Sequence, residues 1–359
     1  MSHDRILIKG NEAVAFGALD AGCRCYFGYP ITPQNEIPET MSLRLPECGG
    51  QFVQAESEVA AINMLLGAGA CGIPAMTSSS SCGISLMQEG ISYMAGSHIP
   101  AVIVNMERGG PGLGDIGPSQ GDYFQATKGG GNGDYHMITY APASIQEAIN
   151  ILGFAYDKAE KYRVPVMILA DGIMAQMMEP VEMPEMVDYK VDPEKKPWAA
   201  TGWKPGDDPA KRAVINSLYI NTEELTVHNN NLQAIYREIE KNEEMYETYL
   251  TEDADIVITA FGTVARIAKS AINDLREQGI KVGLFRPITV WPFPYAQLAD
   301  AVKGAKAILD VEVNEGQMME DVRLAVNGAL PVDYFGYCGS QMPTTEEIKA
   351  KILNMKEGI

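Results

Sequence analysis

Cys25-Tyr26-Phe27, continued by Gly28-Tyr29-Pro30-Ile31-Thr32-Pro33, reads as a short apolar strand that stops at a glycine and turns into a helix after Thr32. In a parallel α/β sheet, the carboxyl end of a strand is where ligand-facing groups gather. The same alternation runs outward on both sides. Ile6-Leu7-Ile8 precedes a helix over roughly Asn11 to Ala21; Met76-Thr77 leads to a helix from Gly83 to Ala95. The apolar runs Ala101-Val102-Ile103-Val104 and Val166-Met167-Ile168-Leu169-Ala170 supply further strands. Strands alternating with helices predict a parallel sheet covered on both faces.

From about Met183 to Pro209 the periodicity fails, and proline, aspartate, lysine and tryptophan accumulate. This predicts an irregular loop. A polar helix from about Glu223 to Leu250 follows, poor in core positions and suited to linking domains or lying across a partner. A second alternation then begins: strand Asp255 to Ala260, helix Val264 to Gln278, strands Val282 to Phe285 and Ala307 to Leu309, helix Met318 to Val326. The expected organisation is a first domain over 1–250, with the loop and linking helix, and a smaller α/β domain over 251–359.

With 359 residues and mean hydropathy near zero, the chain can bury a substantial core. Its formal charge of −19 argues against nucleic acid or an anionic membrane as partner, since either needs a basic surface. With no leader pattern and no apolar run of spanning length, the expected location is cytoplasmic. Six scattered cysteines and four histidines lack zinc or iron-sulfur spacing, so no metal site is expected on this chain.

Glu58 is the most informative single residue. In Gln54-Ala55-Glu56-Ser57-Glu58-Val59-Ala60-Ala61 it opens a small, apolar helix whose start should be buried. A buried carboxyl group is costly unless it has a partner or a task. Glycines within that helix, in Gly67-Ala68-Gly69-Ala70, fit either a close ligand or tight helix packing. Thr77-Ser78-Ser79-Ser80-Ser81-Cys82-Gly83, between a strand and a helix, could cap the helix, bind an anion, or simply make the turn. Arg108, before Gly109-Gly110-Pro111-Gly112-Leu113-Gly114, suits a forked contact with a carboxylate or phosphate, or an ion pair with Glu107 or Asp115. Lys128-Gly129-Gly130-Gly131-Asn132-Gly133-Asp134 is a second glycine-rich loop, flexible enough to close over a site. No Walker sequence and no Gly-x-Gly-x-x-Gly at a strand-helix turn is present.

Taken together, Gly28 to Pro33, Phe52 to Glu58, Gln88-Glu89-Gly90-Ile91 and Arg108 to Gly114 resemble the alpha subunit of 2-oxoacid:ferredoxin oxidoreductases. Phe285-Arg286-Pro287-Ile288-Thr289 with Pro292-Phe293-Pro294 resembles their transketolase-C-like second domain. Gln54 to Glu58 and Gly112 to Pro118 look most like the branched-chain, 3-methyl-2-oxobutanoate type. The resemblance implies a pyrimidine-type thiamine diphosphate domain, with the cofactor shared with a beta subunit. Ala170-Asp171-Gly172, Gly121-Asp122 and Gly133-Asp134 do not match the Gly-Asp-Gly motif that holds the diphosphate and its metal. By resemblance, Mg2+ and [4Fe-4S] clusters belong to partner subunits, namely the beta subunit, a gamma subunit and a ferredoxin-like iron-sulfur subunit. External ferredoxin takes the electrons and coenzyme A the acyl group. Glu58 then faces the cofactor's aminopyrimidine and promotes loss of the C2 proton, with Glu56 the rival carboxylate. Tyr29, Pro30 and Ile31 line the cofactor, and Thr32 and Arg108 hold the 2-oxo acid. The alternatives are the same chemistry on 2-oxoglutarate or pyruvate, or a non-catalytic structural subunit.

Overall fold

The computed structural model describes residues 5–189 and 195–358. The first part of the chain runs β1 (Ile6–Lys9), α1 (Gly10–Asp20), β2 (Cys25–Gly28), α2 (Glu36–Arg44), β3 (Gln51–Gln54), α3 (Glu58–Ala70), β4 (Ala75–Ser79) and α4 (Ser81–Gly96). It continues through β5 (Ala101–Glu107), α5 (Tyr123–Thr127), β6 (Ile138–Tyr140), α6 (Ile145–Tyr162), β7 (Pro165–Asp171), α7 (Gly172–Gln176) and β8 (Met178–Val181). After a largely irregular stretch come α8 (Thr222–Asn242), β9 (Tyr246–Tyr249), β10 (Ile256–Thr259), α9 (Val264–Glu277), β11 (Val282–Pro287) and β12 (Thr289–Trp291). The last elements are α10 (Tyr295–Ala301), β13 (Ala307–Glu312), α11 (Gln317–Val326), β14 (Val332–Gly336) and α12 (Thr345–Glu357).

A seven-stranded sheet has the order β12-β6-β7-β5-β4-β2-β3 and is parallel except for β12. Its central strands β5 and β7 are buried at every position, which explains their unbroken apolar character. β2 lies between its successor β3 and the later β4, so the strand order reverses there. The carboxyl ends of β2 and β4 therefore flank a crevice of the kind that binds ligands in open α/β sheets. A five-stranded sheet, order β14-β13-β10-β11-β9, carries the second unit and is parallel except for β9.

Three expectations about elements change, and one helix is new. Ile6–Lys9 is a strand, but it pairs antiparallel with β8 in a separate ribbon; Ile6 and Leu7 are exposed, unlike a strand covered on both faces. The linking helix ends at Asn242 instead of Leu250, and Tyr246–Tyr249 forms an edge strand on the second sheet. The long amphipathic helix α6, absent from the sequence reading, packs along α1 and the sheet. The sheets also exchange chain: β12, from the second half, pairs with β6 of the first sheet.

Arg286 reinforces that junction. Its side chain, 6 % exposed, makes a forked pair with Glu147 of α6, both bonds 2.8 Å, and a 2.9 Å bond to Glu247 of β9. Two further contacts bring the units together at the carboxyl ends of their strands. Thr263 Oγ1, past β10, donates to Asp171 at the end of β7, and Asn314 Nδ2, past β13, donates 2.8 Å to the Gln120 carbonyl.

Candidate active site

Glu58 is the first residue of α3, directly after the helix cap Ser57, whose hydroxyl accepts 3.2 Å from the Ala60 amide. The Glu58 side chain is buried, 6 % exposed, and no side chain or amide among the described residues donates to it. Glu56, two residues earlier, is exposed.

Glu58 is held against the start of α4. A Cβ placed on Gly83 would lie 2.8 Å from Glu58 Oε1 and 2.0 Å from Ser79 Oγ, so only glycine admits both groups. The Ser79 hydroxyl is fully buried with no hydrogen-bond partner among the described residues, as are those of Thr77 and Ser80. Burying such groups unpaired costs about 1–3 kcal/mol each. An orphaned hydroxyl beside an unpaired carboxyl group calls for a physical explanation, a functional role among them.

The other serines have structural partners. Ser78 donates to Gln34 Oε1 and meets Tyr26 Oη at 2.6 Å. Ser81, with φ of +22°, binds the loop that follows β5. The segment from Thr77 to Ser81 therefore does more than cap a helix: Ser80, at the cap position, makes no capping bond.

Arg108 is buried, 7 % exposed, immediately past β5. Its Nη1 donates 3.1 Å to the Thr32 carbonyl, and Nη2 donates to the Leu113 carbonyl and to Cys82 Sγ, each at 3.1 Å. Neither Glu107 nor Asp115 pairs with it. Glu107 accepts from the Asp122 amide, and Asp115 binds Ser340 and the Gly117 amide. Arg108 Nε is buried without a partner among the described residues. The guanidinium thus ties the turn after β2 to the glycine-rich loop after β5 with its positive charge unpaired by any carboxylate among the described residues.

Of the remaining expected residues, Thr32 lies beside Arg108 through its carbonyl, with its side chain exposed; Tyr29 and Pro30 are exposed and Ile31 is half-buried in the same turn. Beyond Arg108, a cavity of about 240 Å³ is lined by Gly110, Pro111 and Asp122 from the first unit and by Asn314, Gln317 and Cys338 from the second. A larger cavity of about 730 Å³, lined among others by His98, Arg163, Trp198 and His228, lies toward the opposite, amino-terminal ends of β5 and β7.

Two glycine readings resolve differently. Gly69 lets α3 approach Ile99 and Pro100, whose atoms lie 2.6 and 2.7 Å from where a Cβ would be, so its role is internal packing, whereas Gly67 faces open space. The 128–134 loop does not stand free as a lid. The Gly131 amide donates to Tyr135 Oη, Ser92 donates to the Asn132 carbonyl, and Gln88 fills the space beside Gly130.

Sequence reasoning names Ser81 and Cys82 only as members of the Thr77–Gly83 segment and gives no role to Asn105 or Asp122. Asp122 enters it only as half of an imperfect Gly-Asp motif. Its carboxylate accepts from Ser81 Oγ at 2.7 Å and Asn105 Nδ2 at 2.8 Å. Burial pushes the carboxyl groups of Asp122 and Glu107 above their usual range, Glu107 well above, with the Asp122 charge adding to the effect on Glu107.

Among the described residues no helix is long and apolar enough to cross a membrane. Residues 16–248 match the family described as pyruvate flavodoxin/ferredoxin oxidoreductase, thiamine diphosphate-binding, and residues 254–348 match pyruvate:ferredoxin oxidoreductase core domain II. The ketoisovalerate oxidoreductase subunit VorB of Methanothermobacter marburgensis is 46% identical over 96% of both chains. The 2-oxoglutarate synthase subunit KorA of the same organism is 34% identical over 98% of this chain and all of its own. Among solved structures, a 2-oxoglutarate:ferredoxin oxidoreductase from Magnetococcus marinus, with 2-oxoglutarate, coenzyme A and succinyl-CoA bound, superposes with a TM-score of 0.87 at 26% identity. The match covers 98% of this chain and 65% of that longer one. On these matches the chain belongs to the pyruvate flavodoxin/ferredoxin oxidoreductase family, as a subunit of a 2-oxoacid:ferredoxin oxidoreductase.

Proposed function

We propose that this chain supplies the pyrimidine-facing half of a thiamine diphosphate site, in a complex that converts branched-chain 2-oxo acids, coenzyme A and oxidised ferredoxin to acyl-CoA, CO2 and reduced ferredoxin. The observation that carries this reading is Glu58: a buried carboxyl group without a partner among the described residues, set against Gly83 beside the unpaired Ser79 hydroxyl. Those groups fit a heteroaromatic ring bearing both donors and acceptors. When bound, thiamine diphosphate supplies the carbon nucleophile and electron sink. Glu58 offers the carboxyl oxygen through which a proton is held and passed on at the ring. Arg108 pairs the 2-oxo acid carboxylate with its otherwise unpaired charge, and Thr32 sits beside it at the same turn. Tyr29, Pro30 and Ile31 border the cofactor in this reading.

The diphosphate with its Mg2+ falls to a beta subunit, and [4Fe-4S] clusters to an iron-sulfur subunit, with a gamma subunit completing the assembly; relatives named as subunits support a multi-chain enzyme. The reading includes a cytoplasmic location, and it keeps 1–250 and 251–359 as the two functional units.

Substrate choice follows from charge. Across Tyr29 to Pro33 and Arg108 to Asp115, Arg108 is the only basic residue, enough for one carboxylate but not for the second carboxylate of 2-oxoglutarate. The VorB relative favours the same choice. The second reading, 2-oxoglutarate, draws on the KorA relative and the Magnetococcus structure. Comparing kcat/KM for 3-methyl-2-oxobutanoate and 2-oxoglutarate on the assembled complex tests it. Preference for the branched acid is expected, and preference for 2-oxoglutarate would overturn the substrate assignment.

A further inference from the structure

Apart from the Leu113 carbonyl of its own loop, the groups that hold Arg108 in place come from elsewhere in the chain. Asp122 lies fourteen residues downstream and reaches Arg108 by two routes. Through its side chain, Oδ2 accepts from Ser81 Oγ at 2.7 Å, and that same oxygen of Ser81 accepts from the Arg108 amide at 3.0 Å. Through its main chain, the Asp122 amide donates 2.8 Å to Glu107 Oε1, on the residue immediately before Arg108. Asn105 closes the network. Its Nδ2 donates 2.8 Å to Asp122 Oδ2, and its Oδ1 accepts 3.0 Å from the Ser81 amide.

Every member of this network is a polar group committed to the end of β5 or the start of α4, and Asn105 and Glu107 are fully buried. Ser81 adopts φ of +22°, a backbone conformation side-chain-bearing residues rarely take, which surrounding bonds must maintain. No bond of Asp122 goes to the guanidinium itself. The Asp122 carboxylate is therefore occupied by the Ser81 hydroxyl and the Asn105 side-chain amide, and the guanidinium forms no ion pair with a carboxylate of the described residues, which leaves it able to pair with an anionic ligand.

We propose that Asp122, acting through Ser81, is a positioning residue for Arg108 and so sets affinity for the 2-oxo acid carboxylate. This rests on the reading of Arg108 as the carboxylate-binding residue. Asp122 borders the cavity beyond Arg108, but its carboxylate and amide are committed to Ser81, Asn105 and Glu107, and through them it fixes the main chain from which Arg108 projects. A shift of a few tenths of an ångström at that main chain moves the guanidinium by more, because the side chain is long, and a forked contact is sensitive to such displacement.

The test is a double-mutant cycle on the assembled complex, with Asp122→Ala, Asp122→Asn, Ser81→Gly and Arg108→Lys. Asp122→Asn retains the volume should Asp122→Ala fail to assemble. Ser81→Gly removes the hydroxyl while freely allowing the positive φ, which separates the hydrogen bond from backbone preference. The expected result is a rise of about tenfold in KM for the 2-oxo acid in the Asp122→Ala and Ser81→Gly enzymes, with a smaller rise for Asp122→Asn. KM for coenzyme A should stay within about twofold, and kcat should fall less than KM rises. In the Arg108→Lys background the Asp122 substitutions should add little, since both act through one contact.

Equal losses across kcat and every KM would make Asp122 a general structural residue and overturn the proposal. So would additivity with Arg108→Lys. If Arg108→Lys raises KM for the 2-oxo acid while the Asp122 and Ser81 variants do not, positioning fails and the reading of Arg108 stands. If Arg108→Lys leaves that KM unchanged, the reading of Arg108 fails and the positioning role falls with it.

Discussion

Replacing Glu58 by glutamine separates catalysis from stability more cleanly than any other change in this chain. The amide has the same shape as the carboxyl group, and no hydrogen bond from a described residue is lost, because none is made to Glu58. Folding stability should therefore change by less than about 1 kcal/mol, a shift in Tm of no more than roughly 4 °C for domains of this size. Turnover should respond very differently. A positioned acid-base group contributes about 10² to 10⁴ in rate, so the barrier should rise by roughly 2.7 to 5.4 kcal/mol. The assay is steady-state reduction of a ferredoxin or viologen by the reconstituted complex, paired with thermal unfolding of the same preparation. Assembled complex with wild-type Tm and turnover down at least a hundredfold is the expected pair of results. Near-normal turnover would refute the reasoning and move the role to Glu56, the other carboxylate of that segment, or remove it.

Gly83→Ala should impair both properties, because the new methyl group meets Ser79 Oγ and Glu58 Oε1; a loss of about 1–3 kcal/mol by urea unfolding is expected with reduced turnover. Arg286→Ala removes the cation shared by Glu147 and Glu247, both partly exposed, and leaves Glu247 its Lys269 partner; it should lower stability by about 1–3 kcal/mol, so a urea midpoint within error of wild type would show the junction to be energetically idle. Burial, aided by the neighbouring His228 and Arg163, depresses the His98 imidazole to about 4. Between about pH 6.5 and 4 the unfolded chain then binds the extra proton, so this contribution is intact above pH 6.5 and is lost as pH falls through that window. His98→Asn, at a position with φ of +53° that asparagine tolerates, should flatten that part of the pH dependence, and an unchanged profile would remove His98 as its source.

The alternation of buried runs with helices made the parallel sheet legible, because a strand covered on both faces must be apolar at every position, as β5 and β7 largely are. The burial of Glu58 was legible for a similar reason: Ser57 caps a helix whose following residues are small and apolar. Arg108 was legible as a residue at a strand end, but its partners were not. The sequence offered Glu107 and Asp115, its near neighbours, whereas the structure gives it Thr32 and Cys82, 76 and 26 residues away. Propensity also could not say that Ile6–Lys9 would leave the main sheet, that Tyr246–Tyr249 would join the second, or that Thr289–Trp291 would cross back to the first. Periodicity reports which residues must be buried, a local property of each element. Which strands pair, and which carboxyl groups end beside which hydroxyls, depends on contacts between distant segments, and only the folded chain brings Ser81 and Asp122 to Arg108 and sets Ser79 and Gly83 beside Glu58.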